Sequence, residues 1–333
     1  MDFQYKVAVL GPIPRDTIIT YRGEVVEKYG AINHTVIGLS RLLGDNSKIF
    51  PVAHMRKKDL PAVQKILAQY SNVDFSHITD NDDQGDVICL RFIDQNQRLE
   101  KQSGIMSPIT IKDVEELVDC DAYVVVPVTE FEIALETLRF LKQHNRDAPV
   151  IFDAHGPTNM MTTLGDRLLK FWVDRDRWLP YIDVLKMNLD EAKCCWFHNK
   201  YKLKDLERDY AFTREDLPPF AWHCLRMGVR LVCVTLDAEG CLIFYLNDQG
   251  EMEEKLVPAV RVDNVIDTTG CGDSFAAGLA FGVLTSNDYV KAAQYANVLG
   301  ALRTQGKTFD VFKDFSETEK IRVAAYGESE NAE

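Results

Sequence analysis

Tyr5 to Gly11 reads YKVAVLG, a run of apolar β-formers that stops at Gly-Pro, and it predicts a buried strand. Thr17–Thr20 and Glu24–Tyr29 flank Arg22-Gly23 and predict a hairpin. Between Asn33 and Leu43 the apolar positions Val36, Ile37, Leu39, Leu42 and Leu43 recur at helical spacing, with Asn33 suited to the N-cap. A strand over Lys48–Ala53 and an amphipathic helix over Lys58–Tyr70 follow, then a second hairpin over Asp86–Gln102 with the polar turn 94–97. From Tyr123 onward the rhythm is regular. Strands are expected at Tyr123–Val128, Val150–Asp153, Val184–Met187 and Leu231–Leu236, with helices at Glu130–His144 and Leu189–Phe197.

Continuous apolar strands alternating with helices predict an α/β fold whose central, mainly parallel sheet is covered on both faces. The two hairpins break that rhythm and predict a small β lid, built from about 14–30 and 85–104, beside a core spanning 1–320. The stretches 156–181 and 199–219 are too long for simple crossovers and read as surface insertions. The acidic end, 321–333, reads as a frayed tail, most clearly from about Gly327.

Composition narrows the function classes. Lys plus Arg number 38 against 51 Asp plus Glu, a formal charge of −13, which disfavours nucleic acid and anionic membrane surfaces as partners. No apolar run approaches the roughly 18–20 residues of a membrane span, and the start of the chain reads as a strand; a cytoplasmic location is expected. The eight cysteines form no C-x-x-C pair and suit reduced, buried thiols. Cys194, Cys195, His198, His223 and Cys224 lack the regular second ligand pair of a zinc site.

The segment with the clearest chemistry is Asp267-Thr-Thr-Gly-Cys-Gly-Asp273-Ser-Phe, followed by a helical run of small residues. Gly270 and Gly272 permit a tight turn whose N–H groups, with the orphan donors of the helix start, can hold negative charge. An Asp placed there can take a proton from a hydroxyl while those groups stabilise a transferring phosphoryl group. Asp273 as a simple helix cap is the plainer alternative.

This string, from Asp267 to Gly278, closely resembles the C-terminal signature of the ribokinase, or PfkB, family of carbohydrate and nucleoside kinases, with Cys271 in the usual Ala position. Further resemblances follow in order: Gly11 and Asp16; Gly30, Ala31 and Asn33; Asn188 with Glu191; Thr235 with Gly240; and Asn297 to Gly306. The resemblance spans residues 5 to 312 and implies a ribokinase-like three-layer sandwich with a β-sheet lid. It implies phosphoryl transfer from ATP to a hydroxyl of a sugar or related polyol. In this reading Asp273 is the base, and Gly270, Cys271 and Gly272 supply the anion hole. Asp16, Gly30 and Asn33 would bind the acceptor, and Asn188, Thr235, Gly240 and Asn297 the nucleotide. Glu191 would hold Mg²⁺ through water. Asp267, with carbonyls near Thr269 and Gly306, would hold a monovalent cation such as K⁺. A homodimer through the lid is a further expectation.

The chain departs from the family pattern at Lys28-Tyr29 (where the family has Gly-Gly), Pro14, Asp153-Ala-His155 and Asp237. These positions touch substrate and nucleotide contacts, and a nucleoside kinase, a sugar-phosphate kinase and a non-catalytic ligand-binding member stand as alternatives. A nucleoside slot would draw on Tyr29, Phe92, Ile105 and Met106. By default His155 is a satisfied loop histidine, and Arg22, Lys28, Arg91, Arg98 and Lys101 are solvated lid charges; several pointing inward would suit a phosphorylated sugar. The Cys271 thiol is either activated by the helix start or a small filler.

Overall fold

A computed structural model describes residues 4–20, 22–93, 98–196, 212–286 and 288–328. Its strands are β1 (Lys6–Leu10), β2 (Arg15–Ile19), β3 (Val25–Tyr29), β4 (Lys48–His54), β5 (Ile78–Thr79), β6 (Val87–Phe92), β7 (Arg98–Gly104), β8 (Ala122–Val125), β9 (Val150–Asp153), β10 (Asn159–Met161), β11 (Arg167–Leu169), β12 (Val184–Asn188), β13 (Leu231–Thr235), β14 (Gly240–Leu246) and β15 (Met252–Pro258). The helices are α1 (Ile32–Leu43), α2 (Leu60–Leu67), α3 (Ile111–Val114), α4 (Leu135–His144), α5 (Arg175–Trp178), α6 (Leu189–Cys195), α7 (Leu217–Arg226), α8 (Cys271–Thr285), α9 (Tyr289–Arg303) and α10 (Phe315–Tyr326).

The main sheet has nine strands in the order β15-β14-β13-β12-β9-β8-β1-β4-β5. It is parallel from β13 to β5, and β14 and β15 extend one edge antiparallel. Runs such as YVVV and LVCV are buried along their whole length because helices cover both faces. On one face Val7, Val9 and Ile49 pack with α1, α2, α8 and α9; on the other Leu10, Tyr123 and Phe152 pack with α4, α6 and α7. The two hairpins merge into one four-stranded lid, β3-β2-β6-β7, with β2 and β6 parallel. The predicted turn 94–97 lies outside the described residues.

Several expectations are corrected. The helix expected from Glu130 begins at Leu135, because buried Glu132 turns its carboxylate back to accept from the Val128 and Thr129 N–H groups (2.6 and 3.0 Å) and holds a loop there. The helix over 58–70 is confined to 60–67, and α1 is capped by Ala31, not Asn33. The 156–181 segment is only partly superficial: β10 and β11 form a hairpin, but Trp172 is fully buried against Phe152 at 5.6 Å. Pro218 and Pro219 open α7, where a missing N–H costs nothing, and 197–211 lies outside the described residues. The tail is ordered to Tyr326, whose hydroxyl donates to the Pro258 carbonyl (2.6 Å).

The small-residue helix α8 has its own structural reason. A Cβ on Gly278 would lie 2.4 Å from the Tyr295 carbonyl oxygen, and one on Gly282 2.3 Å from Ala292 Cα, so α8 and α9 meet at backbone distance. Gly282→Ala gains up to about 1 kcal/mol of helix propensity. It must nevertheless push α9 aside, and a net loss of about 1–3 kcal/mol is expected in a denaturant melt.

Candidate active site

The predicted residues converge where the parallel strands end and α8 begins, the usual ligand crevice of an open α/β sheet. Gly270 caps α8 in the left-handed region (φ +86°), which places Asp273 in its first turn. A side chain at 270 would collide with His34, whose ring carbons and Nε2 lie 2.4–2.8 Å from the ideal Cβ. The Thr35 hydroxyl donates to the Asp273 carbonyl (2.9 Å) and ties α8 to α1.

At the turn expected to form an anion hole, one of the three donors is engaged. The Cys271 N–H turns back to the Thr268 carbonyl (3.2 Å) and is withdrawn from it. Among the described residues the Gly270 and Gly272 N–H groups have no protein acceptor and remain available. Burial also pushes the Cys271 thiol up to about 11, so it is a protonated filler, not an activated thiolate.

Burial raises the Asp273 carboxyl above its ordinary value, and the neighbouring Asp153 carboxylate raises it further against the opposing charges of Lys186 and Arg303. Lys186, which belongs to none of the sequence motifs, sits on β12 with its ammonium 2.7 Å from Asp153 Oδ2. A Cβ on Gly272 would be 3.1 Å from Lys186 Nζ, so this cation stands directly at the 270–273 turn. Its position two residues before Asn188, in an otherwise apolar strand, was the available signal.

On the acceptor side Asp16 projects from the lid strand β2, and a Cβ on Gly30 would overlap its Oδ2 at 2.4 Å. Asp16 and Gly30 are therefore one feature: the glycine makes room for the carboxylate. Burial lifts the Asp16 carboxyl to about 7; Asp273 adds to the rise while Lys28 and Arg167 oppose it. Asn33 is fully buried, with its amide donating to the Tyr29 carbonyl (3.3 Å) and its Oδ1 unpartnered. If Asp16 must be ionised to bind an acceptor hydroxyl, kcat/KM rises with pH and levels off above about 7. Asp16→Asn should remove that limb, read from a pH profile of initial rates.

The donor side is partly as expected. Asn188 caps α6: its Oδ1 accepts from Glu191 N (2.8 Å), and Glu191 Oε2 accepts from Asn188 N (2.8 Å). Glu191 Oε1 lies 2.7 Å from His155 Nδ1. Burial alone would raise Glu191, but His155, Lys186 and the Asn188 N–H hold it below the usual range. With both oxygens already accepting, Glu191 fits contact with a donor-bound Mg²⁺ through water. Arg167 donates to His155 Nε2 (3.0 Å), so the histidine proton is on Nδ1 and points at Glu191. Arg167 also pairs with Glu100 of β7 (2.9 Å), linking the lid to Glu191 through the 156–181 segment.

Two residues expected to contact the nucleotide sit against the protein backbone. The Asn297 amide is spent on the Val257 and Pro258 carbonyls (3.1 Å each), so it braces the end of β15. Gly240 has φ +108° and leaves no room for a Cβ against the Val257 oxygen (2.1 Å). Thr235 ends β13 beside Asn188, its hydroxyl 3.4 Å from the Met187 carbonyl. Of the residues a nucleoside slot would draw on, the Tyr29 hydroxyl donates to Asp59 (2.9 Å) and Met106 lies in the core.

Asp267 overturns the largest expectation. Its Oδ2 meets Lys28 Nζ at 2.9 Å and Arg303 Nη2 at 2.7 Å, so the carboxylate is already neutralised by protein cations and K⁺ does not fit there. Lys28, expected to be solvated, thus points inward from the lid.

Known proteins agree with this architecture. The model of the pfkB family carbohydrate kinases matches residues 64–309. The 2-dehydro-3-deoxygluconokinase of Bacillus subtilis is 37% identical over 94 residues, 28% of each chain. The matches to the first curated relatives cover a third or less of those proteins' length. Among solved structures, Arabidopsis thaliana ribokinase complexed with ribose and ATP superposes with a TM-score of 0.71 at 18% identity, covering 96% of this chain and 98% of that one. A pyrophosphate-dependent kinase in the ribokinase family superposes with a TM-score of 0.72 at 17% identity, covering 95% and 99%. With a match over most of its length and the Asp267–Asp273 turn in place, the chain belongs to the pfkB family of carbohydrate kinases.

Proposed function

We propose that this protein transfers the γ-phosphoryl group of MgATP to a hydroxyl of a sugar or related polyol. The observation that carries the reading is the Asp273 carboxyl, raised above its ordinary value at the start of α8, with free N–H groups and the Lys186 ammonium beside it. Asp16 orients the acceptor and Asp273 takes the hydroxyl proton as the oxygen attacks. The Gly270 and Gly272 N–H groups and Lys186 hold the charge on the equatorial oxygens of the phosphoryl group. Bound donor brings its own Mg²⁺, which draws charge from the β- and γ-phosphates. Asn188 and Glu191 are placed to position it.

A neutral acceptor is favoured over a sugar phosphate, because the inward cations Lys28 and Arg167 are already paired with Asp267 and Glu100. The test is product release from MgATP against a panel of sugars, polyols, sugar phosphates and nucleosides, with pyrophosphate as a second donor and Asp273→Asn protein as blank. Turnover on a neutral polyhydroxy acceptor supports the reading. Turnover restricted to phosphorylated acceptors, to nucleosides or to pyrophosphate would replace the substrate named here. Binding of ATP without turnover on any acceptor would favour a ligand-binding role.

A further inference from the structure

Arg303 is fully buried at the end of α9 and bridges two oxygens of different segments: Nη2 to Asp267 Oδ2 at 2.7 Å and Nη1 to the Gly306 carbonyl at 2.5 Å. Lys28 reaches the same carboxylate oxygen at 2.9 Å from the lid, while Asp267 Oδ1 accepts from the Thr269 N–H (2.8 Å). The loop is tied to the same helix end a second time, since the Ile266 N–H donates to the Thr304 carbonyl (2.8 Å). A half-buried carboxylate and a backbone carbonyl held by one group form a hard-oxygen site that requires positive charge. Here that charge is covalently part of the chain. A guanidinium does not deprotonate in proteins, and its fork matches two acceptors at fixed separation.

We propose that Arg303, assisted by Lys28, is the built-in cation of the catalytic turn: a positioning residue that fixes the 267–273 segment and makes the protein independent of monovalent ions. Burial would raise Asp267, yet Lys28, the Thr269 N–H and Arg303 hold its carboxyl well below the usual range, as a permanent ion pair requires. Added K⁺ would meet two fixed positive charges. Because Lys28 belongs to β3, the lid and the anion-hole turn share one carboxylate, so lid position and turn geometry are mechanically joined.

The inference rests on the proposed role of the turn, so its test has an arm that does not depend on turnover. Wild-type turnover should change less than about twofold when KCl replaces choline chloride at equal ionic strength, whereas Arg303→Ala should lose roughly 10²-fold through misplacement of the turn. K⁺ or sub-denaturing guanidinium should restore about tenfold or more of that loss by refilling the vacated oxygen site. In parallel, both cations should raise the melting temperature of Arg303→Ala and leave the wild type unmoved. Severalfold K⁺ activation of the wild type, or Arg303→Ala that responds to neither cation in rate or melting, overturns the proposal. Should Arg303→Ala fail to fold, Arg303→Lys keeps a charge but loses the bridge to Gly306. It should be slowed with retained K⁺ independence, and wild-type rates in Arg303→Lys would overturn the assignment. Absence of kinase turnover in the wild type would remove the catalytic reading while the melting arm still decides the ion replacement.

Discussion

Asp273→Asn should lower turnover by about 10²–10⁴-fold or more and, in the same preparation, leave the melting temperature at or above the wild-type value. The two halves have one cause. A carboxyl whose value is raised on folding is one whose ionised form the fold disfavours. At neutral pH the Asp273 charge, buried and facing Asp153, therefore costs stability, and that cost grows as pH rises until the folded value is passed. An uncharged amide relieves burial and repulsion together while removing the proton acceptor. Activity gained at the expense of local stability is common at catalytic sites. Turnover that survives in Asp273→Asn would show that another group takes the proton. A large fall in melting temperature would mean that Asp273 is a structural cap instead.

Lys186→Met should have the opposite signature and hurt both properties. The ammonium is 2.7 Å from Asp153 Oδ2 and both side chains are buried, so its removal strands a carboxylate among Asp273 and Glu191. Breaking one half of a buried pair costs about 3–5 kcal/mol, measured by chemical denaturation. Turnover should fall by about 10²–10³-fold, the scale of losing one charge-stabilising donor at the transferring group. The double variant Lys186→Met/Asp153→Leu separates the two effects: it should recover most of the stability and none of the turnover. Recovery of turnover in the double variant would reduce Lys186 to a counter-ion of Asp153.

The two sides of the candidate site are joined through ion pairs and hydrogen bonds that also bear on these results. Glu100 of the lid reaches Glu191 by way of Arg167 and His155, and Lys28 of the lid reaches the anion-hole turn by way of Asp267. Under the proposed function, closing the lid on an acceptor would act on both ends of the donor site, which suits an enzyme that must withhold phosphoryl transfer from water.

The layered α/β architecture is legible in the chain alone, because apolar runs of strand length and apolar positions at helical spacing are local signals of burial on two faces or one. So is the turn proposed to be catalytic, since D-T-T-G-C-G-D needs no partner to be recognised: two glycines, a helix start and a carboxylate are contiguous. Neighbouring chemistry of the same kind is legible too, as at Asn188 and Glu191, whose mutual cap is a three-residue interval. The pairings settled by the folded arrangement join residues far apart in the chain. Lys28 and Asp267 are separated by 239 positions, and whether a lid lysine is solvated or held in a half-buried ion pair follows from where the lid lands, not from its own pattern. Lys186 reads as one polar letter in an apolar strand until β9 and α8 bring Asp153 and Gly272 beside it. Arg303 reads as an ordinary basic residue at a helix end until the fold sets its guanidinium on Asp267 and Gly306. Charge pairs depend on packed distances, and burial makes each of them decisive, because a charge taken from water must find its partner in the same fold.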